Sequence, residues 1–338
     1  MATIYEVAKR AGVSTATVSR VVSGHKNAVS PATRRRVLRA VEQLGYVPNA
    51  AARNLRTLNT RKIVVTVPDL SNPFFALILQ GIEDAAQREG YAVLVGDTQH
   101  DPEREDRYAQ MLRRKEADGL IFLGHRLPTE AEQLVSAAAP RSAPVVNGCE
   151  FSSTLGVPSV HIDNAKAADE AMDYLYKLGH RRIGVLTGPL LSPLSRDRLR
   201  GVMARAKAEG HEDRLTIVNG DFSIASGVSG AERLLQAKTP PTAIFCFNDE
   251  MAMGVLETAR RRGVRVPEQL SVVGFDDIRF SRHIDPPLTT VAQPMREIGE
   301  GCVRLLLEIL RGQNLDPVSV TLPHELTIRG STAPPRKV

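Results

Sequence analysis

From residue 61 onward the chain alternates short apolar runs with longer amphipathic ones. The runs at 63–68, 91–96, 119–124, 145–147 and 160–162 have the length and composition of strands, as do those at 183–187, 215–218, 243–247, 271–275 and 289–291. Stretches of helical period lie between them, for example 75–88, 165–178, 198–209 and 250–261. Strands joined through helices are drawn into parallel sheets, because a parallel return needs a crossover of a dozen residues or more. Near-continuous apolar strands must also be covered on both faces. Two successive sets therefore predict an α/β body of two helix-covered parallel sheets, changing over near 158–161. A late helix at 293–310 and a strand at 318–322 need not belong to the second sheet.

The first sixty residues follow a different pattern. Thr3 and Glu6 have capping-box spacing, and Ile4, Val7, Ala8 and Ala11 form one apolar stripe. Gly12 then stands where a turn needs positive φ, and Ser14 is placed to cap a second helix. In that helix Val18, Val21 and Val22 share one face, and Thr15, Ala16, Ser19 and Arg20 the other. Ser30-Pro31 opens a third helix, with Val37, Leu38, Val41 and Leu44 expected inward and Gly45 as its stop. Helix, glycine turn and helix is the order of a helix-turn-helix. Its outward face is small and hydroxylated, with one arginine able to grip guanine O6 and N7. An ordinary amphipathic hairpin has the same apolar spacing, and charge separates the two readings. The net charge is +6, yet residues 1–60 carry ten Lys and Arg against only Glu6 and Glu42, a balance of +8 that leaves −2 for the rest. A basic head on a near-neutral body is the electrostatic footprint of a polyanion binder.

Residues 50–58, Ala-Ala-Ala-Arg-Asn-Leu-Arg-Thr-Leu, favour helix but are too few for a stable lone helix. They read either as a plain linker or as a segment that orders on DNA, with Leu55 as an apolar wedge in the minor groove.

Other classes lack their chemistry. No Gly-x-Gly-x-x-Gly or Gly-x-x-x-x-Gly-Lys-Ser/Thr cradle for phosphates is present, and the eight histidines show no metal-ligand spacing. Ser192 and Ser195 do not form a nucleophile elbow. No cofactor, metal or catalytic residue is therefore expected, and an enzyme with a helical head is the weaker alternative. Cys149, Cys246 and Cys302 are odd in number and far apart, as expected of reduced thiols in a cytoplasm. No apolar run is long enough to cross a membrane, and no apolar leader is seen, which disfavours an exported transport module.

The chain resembles the lactose-repressor (LacI/GalR) family of bacterial transcription repressors over essentially its whole length. The residues that carry the resemblance are Thr3-Ile4-Tyr5-Glu6-Val7-Ala8, the segment 11–20, Gly45-Tyr46-Val47-Pro48-Asn49, Asn248-Asp249-Glu250-Met251-Ala252-Met253-Gly254, Val273-Gly274-Phe275-Asp276-Asp277 and Pro287-Leu288-Thr289-Thr290. Within the family the segments Val67-Pro68-Asp69, Asn72-Pro73-Phe74-Phe75, 123–128 and 285–294 are most similar to its cytidine-responsive branch. The resemblance implies a helix-turn-helix head at 1–48, a hinge helix at 49–60 and a two-lobed, periplasmic-binding-protein-like body at 61–338. In that body the first lobe takes about 61–160 and 292–322, the second about 161–291 and 323–338. It also implies a homodimer on near-palindromic operator DNA, governed by a small-molecule effector such as a nucleoside, or else a pentose or purine.

On that reading Thr3, Ser14, Thr17, Ser19, Tyr46 and Asn49 contact phosphates and fix register, while Thr15, Ala16 and Arg20 read bases. Ala52, Arg53 and Leu55 act in the minor groove. Ligands of two-lobed α/β bodies sit beyond the carboxyl ends of the strands. There the sequence places Asp69, Asn147, Asn248 and Asp276, with Phe74, Phe75 and Phe222 in adjacent loops and Arg198 at a helix start. Amide, carboxylate and guanidinium groups suit hydroxyls, and aromatic faces suit a flat base. The family pattern matches Arg198, Asn248 and Asp276 to effector positions; Phe74, Phe75, Asn147 and Phe222 complete the expected set. The competing account makes Asn248 and Asp276 helix caps and the phenylalanines core. Asp249 and Glu250 read simply as first-turn acids stabilised by the helix dipole.

Overall fold

The computed structural model describes residues 2–22, 29–47, 59–137, 143–151, 154–315 and 318–336. Its contacts divide into two units, Met1–Asn59 and Thr60–Val338.

The first unit holds α1 (Ile4–Ala11), α2 (Thr15–Val22) and α3 (Pro31–Leu44). Gly12 and Gly45 take the left-handed conformation, φ 63° and 58°, that ends α1 and α3. Val7, Ala8, Ala11, Val18, Val21, Val37 and Ala40 form the buried core. Leu38 and Leu44, expected inward, are instead 45% and 37% exposed. Leu38 is turned off the stripe made by Val37, Ala40 and Val41, and Leu44 stands in the last turn of α3, beside Gln43, which Arg10 of α1 reaches at 3.3 Å.

The second unit contains two six-stranded sheets. The first is ordered β11-β5-β4-β3-β1-β2, from β1 (Lys62–Val67), β2 (Ala92–Asp97), β3 (Gly119–Phe122), β4 (Val145–Gly148), β5 (Ser159–Ile162) and β11 (Ser319–Leu322), all parallel. Helices α4 (Pro73–Arg88), α5 (Pro102–Arg113) and α6 (Thr129–Ala137) connect these strands. The second sheet is ordered β12-β10-β9-β8-β6-β7. Its strands are β6 (Ile183–Thr187), β7 (Leu215–Asn219), β8 (Ala243–Cys246), β9 (Ser271–Asp276), β10 (Thr289–Ala292) and β12 (Glu325–Thr327), with α7 (Asn164–Leu178), α8 (Pro193–Ala208), α9 (Ile224–Leu235) and α10 (Asp249–Arg261) between them. Only β12 runs antiparallel to its neighbour, β10.

The chain passes between the lobes three times: after Ile162, after Ala292 and after Leu322. Strand β5 belongs whole to the first sheet, so the first passage falls after 162 rather than at 160. The short β12, with its polar Glu325 and Thr327, carries too little apolar signal to be read from sequence. After the second passage α11 (Met295–Leu310) returns to pack on α4. Gly81 and Gly299 permit this approach: a Cβ at either would lie 2.2 Å from a backbone oxygen of the facing helix, that of Arg296 or Ile78.

Candidate functional site

The turn of the head is held by hydroxyls. Ser14 Oγ accepts the Thr17 N–H at 3.2 Å and lies 3.0 Å from Thr17 Oγ1. Thr3 and Glu6 form a reciprocal capping box, with Thr3 N–H donating to Glu6 Oε2 at 2.7 Å and Glu6 N–H to Thr3 Oγ1 at 3.4 Å. Three of the expected phosphate contacts, Thr3, Ser14 and Thr17, thus also fix the helix starts. Val18 and Val21 are buried on the inner face of α2. Ala16 and Arg20 are exposed on its outer face, and Thr15 and Ser19 are half-buried. Tyr46 packs against the head core. Asn49, Ala52, Arg53 and Leu55 lie outside the described residues.

In the body, Arg198 is the centre of the expected effector set. Helix α8 begins at Ser192-Pro193, so Arg198 sits in its second turn rather than at its start. The side chain is 3% exposed. Its Nε donates to Asn164 Oδ1 at 2.9 Å and its Nη1 to the carbonyl of Phe247. Its Nη2 lies 3.9 Å from Asp276 Oδ1, and the guanidinium covers the Phe275 ring at 3.5 Å. Burial pushes the Arg198 pKa down to about 10, opposed by Asp276 and Glu150. Burial likewise pushes Asp276 well above the usual carboxylate range, opposed by Arg198. Asp276 Oδ1 also accepts from Gln293 Nε2 at 2.7 Å. A buried cation and a buried acid thus share a low-dielectric corner.

The other expected residues divide. Asn147 is wholly buried; its Nδ2 donates to the carbonyls of Phe122 and Gly124, both at 3.1 Å, while its Oδ1 has no partner. That free acceptor is the kind of group a ligand donor satisfies. Asn248 caps α10, accepting from Met251 N–H at 2.9 Å, and donates to the Phe222 carbonyl at 2.7 Å. It thereby holds Phe222 at φ 72°, half-buried in its loop. Asn248 thus acts as a helix cap, as the competing account expects, while Asp276 caps none of the described helices. Phe75 is half-buried, and Phe74 is 6% exposed and packs within the core of the first lobe. The helical period puts Phe74, Ile78 and Ile82 on one inward face of α4.

Four residues of this corner escape sequence reasoning: Glu150, Asn164, Ser192 and Gln293. Glu150, two residues past β4, is pushed up to about 7 by burial, against the Ser192 hydrogen bond and Arg198. Ser192 stands at the N-cap of α8 yet makes no capping bond. Its hydroxyl donates across the lobes to Glu150 Oε2 at 3.0 Å. Nothing local in the sequence could show that this serine serves another lobe.

Asp249 is also more than a first-turn acid. It is fully buried and pushed up to about 7 by burial, against hydrogen bonds from Ser281, Thr290 and Ile278 N–H. The three cysteines are free and buried. Among the described residues no helix is long and apolar enough to cross a membrane.

Comparison with known proteins places both units. Residues 3–49 match the model for bacterial regulatory proteins of the lacI family, and residues 172–332 match a periplasmic binding protein-like domain. The HTH-type transcriptional repressor CytR of Escherichia coli (strain K12) is 44% identical, covering 98% of this chain and 96% of that protein. Catabolite control protein A of Priestia megaterium is 38% identical over 98% of this chain and 99% of its own length. Among solved structures, the lac repressor dimer bound to operator and the anti-inducer ONPF matches with a TM-score of 0.88 at 30% identity, covering 98% of this chain and 99% of that one. The sequence motifs, the two parallel-sheet lobes behind a helix-turn-helix and these full-length likenesses agree: the chain belongs to the lacI family of bacterial regulatory proteins, a transcriptional repressor and not an enzyme.

Proposed function

We propose that this repressor acts as a homodimer on a near-palindromic operator and is governed by a nucleoside, cytidine above all, bound between its lobes. The observation that carries the reading is the Arg198–Asp276 corner, with the free Asn147 acceptor as a further polar group. Ribose hydroxyls both donate and accept, so they match a guanidinium beside a carboxyl group. The half-buried rings of Phe75 and Phe222 suit the flat face of a base. The full-length likeness to CytR favours the nucleoside over a free pentose or a purine. In the head, exposed Arg20 and Ala16 on α2, with Thr15, read the major groove, and the basic excess of residues 1–60 supplies phosphate attraction.

A ligand shifts operator affinity only by binding one lobe arrangement better than another. Calorimetric titration with cytidine, adenosine and ribose, followed by operator binding with each, tests the proposal. Cytidine is expected to bind most tightly and to weaken operator binding. Tighter binding of ribose overturns the nucleoside assignment, and tighter binding of adenosine overturns cytidine as the preferred nucleoside; neither result affects the family.

A further inference from the structure

The turn after β9 ties the proposed effector corner to the core of the opposite lobe. Asp276 and Asp277 both have left-handed backbones, φ 115° and 57°, unusual for two consecutive non-glycine residues. Two anchors hold the turn in that form. Arg329 Nη2 donates to Asp277 Oδ1 at 2.7 Å, and its Nη1 to the Leu288 carbonyl at 2.8 Å. Asp249, the first residue of α10, takes the rest. Its Oδ2 accepts Ile278 N–H at 2.9 Å and Ser281 Oγ at 2.6 Å, and its Oδ1 accepts Thr290 Oγ1 at 2.5 Å. Gly274 makes room for this carboxyl group, since a Cβ there would lie 2.2 Å from Asp249 Oδ1.

What the turn presents is Ile278. It follows a strand of the second lobe, yet its side chain is 2% exposed and belongs to the buried core of the first lobe, with Phe74, Ile78, Met295 and Ile298. Met253, one turn along α10 from Asp249, packs against the same core. A close-packed core admits a side chain in discrete positions rather than sliding ones. Only Asp277 therefore separates Asp276, at the proposed effector corner, from an apolar plug in the other lobe.

We propose that Asp249 is the positioning residue of interlobe coupling: it fixes the 276–281 turn so that occupancy at Asp276 moves Ile278 within the first lobe's core. The link to an effector rests on the function proposed above; the mechanical link from Asp249 to the first lobe does not.

The test uses the full chain, with Asp249→Ala, Ser281→Ala, Ile278→Ala and the conservative Ile278→Val. Hydrogen exchange without ligand is followed in residues 73–88 of the first lobe and in β8, β9 and β10 of the second. Asp249→Ala and Ser281→Ala are expected to speed exchange in residues 73–88, although neither side chain bonds to that lobe. Exchange that rises only in the second lobe overturns the proposal, and Ser281→Ala keeps the test open if Asp249→Ala does not fold. The second arm measures cytidine affinity by calorimetry and operator affinity with and without saturating cytidine. Ile278→Ala is expected to bind cytidine like the wild type while its coupling, normally about 5–150-fold in such systems, falls below about twofold; Ile278→Val restores it. Full coupling in Ile278→Ala overturns the proposal. A wild type that ignores cytidine sinks the nucleoside reading alone, and the exchange arm still decides the role of Asp249.

Discussion

Glu150 and Ser192 come from opposite lobes and share a hydrogen bond of 3.0 Å, with Glu150 buried and Ser192 released from capping its own helix. The bond joins the two lobes through a carboxyl group that burial pushes up to about 7.

The sign follows from linkage. The Glu150 pKa rises from 4.5 to about 7 on folding, so the native state holds its proton over a range where the unfolded chain has lost it. Stability is fully present below about pH 4.5, declines as pH rises towards 7 and stays reduced above it. Glu150→Gln keeps a hydrogen-bonding partner for Ser192 and removes the titration. The variant is expected to match the wild type at pH 4.5 and to exceed it at pH 8 by on the order of 2–3 kcal/mol. Asp249 titrates in the same window, so the slope shrinks rather than disappears. Denaturant midpoints at the two pH values give the answer; an equal effect at both means that Glu150 does not titrate on folding.

Thr3→Ala removes the acceptor of the capping box at the start of α1. The cost is expected to be about 1 kcal/mol of head stability, with Glu6 returning towards its ordinary pKa once the Thr3 hydrogen bonds that lower it are weakened. Thermal unfolding of the isolated signal from residues 2–22 by amide exchange reports the first effect. Operator binding reports whether Thr3 also touches phosphate: a loss larger than the stability change assigns it that second role.

Arg20 is exposed on the face of α2 opposite buried Val18 and Val21. Arg20→Ala is expected to cost about 1–3 kcal/mol at the operator and to flatten sequence preference. Competition between operator and random duplex at one salt concentration separates the roles. Equal weakening of both would make Arg20 a phosphate contact only.

Much of this architecture was legible because its signals are local. Short apolar runs and period-3.6 patterns give eleven of the strands and many of the helices, and Gly12, Gly45 and the Thr3/Glu6 spacing give the head. That Arg198 and Asp276 come together in one buried corner agrees with their placement near a helix start and at a strand end and with the family motifs. The failures share a cause: each depended on a contact distant in sequence. Nothing near Phe74 says that its face of α4 meets α11. Ile278 looks like an ordinary loop residue until the opposite lobe is in place. Glu150 and Ser192 are separated by 42 residues and acquire meaning only together.

Arg198 supports both the proposed ligand and the fold, and its substitution must separate the two. Removing one member of a buried ion pair leaves the other charge uncompensated, at a cost of about 3–5 kcal/mol. Asp276 softens that cost, because burial already raises its pKa and the neutral acid needs no counter-charge. Arg198→Ala would still open a cavity over the Phe275 ring and free the Asn164 and Phe247 acceptors. Arg198→Met fills much of that space without the charge, and pairing it with Asp276→Asn removes the matching acid. The double variant is expected to fold with a melting temperature nearer the wild type than Arg198→Ala, to bind operator without ligand, and to lose cytidine binding by at least about thirtyfold, as one charge-assisted hydrogen bond of about 1.5–3 kcal/mol and one neutral bond of about 0.5–1.5 kcal/mol would require. Calorimetry and operator titration on the same preparation check all three. Retained cytidine affinity in the double variant would show that the corner braces the second lobe and that the ligand is held elsewhere.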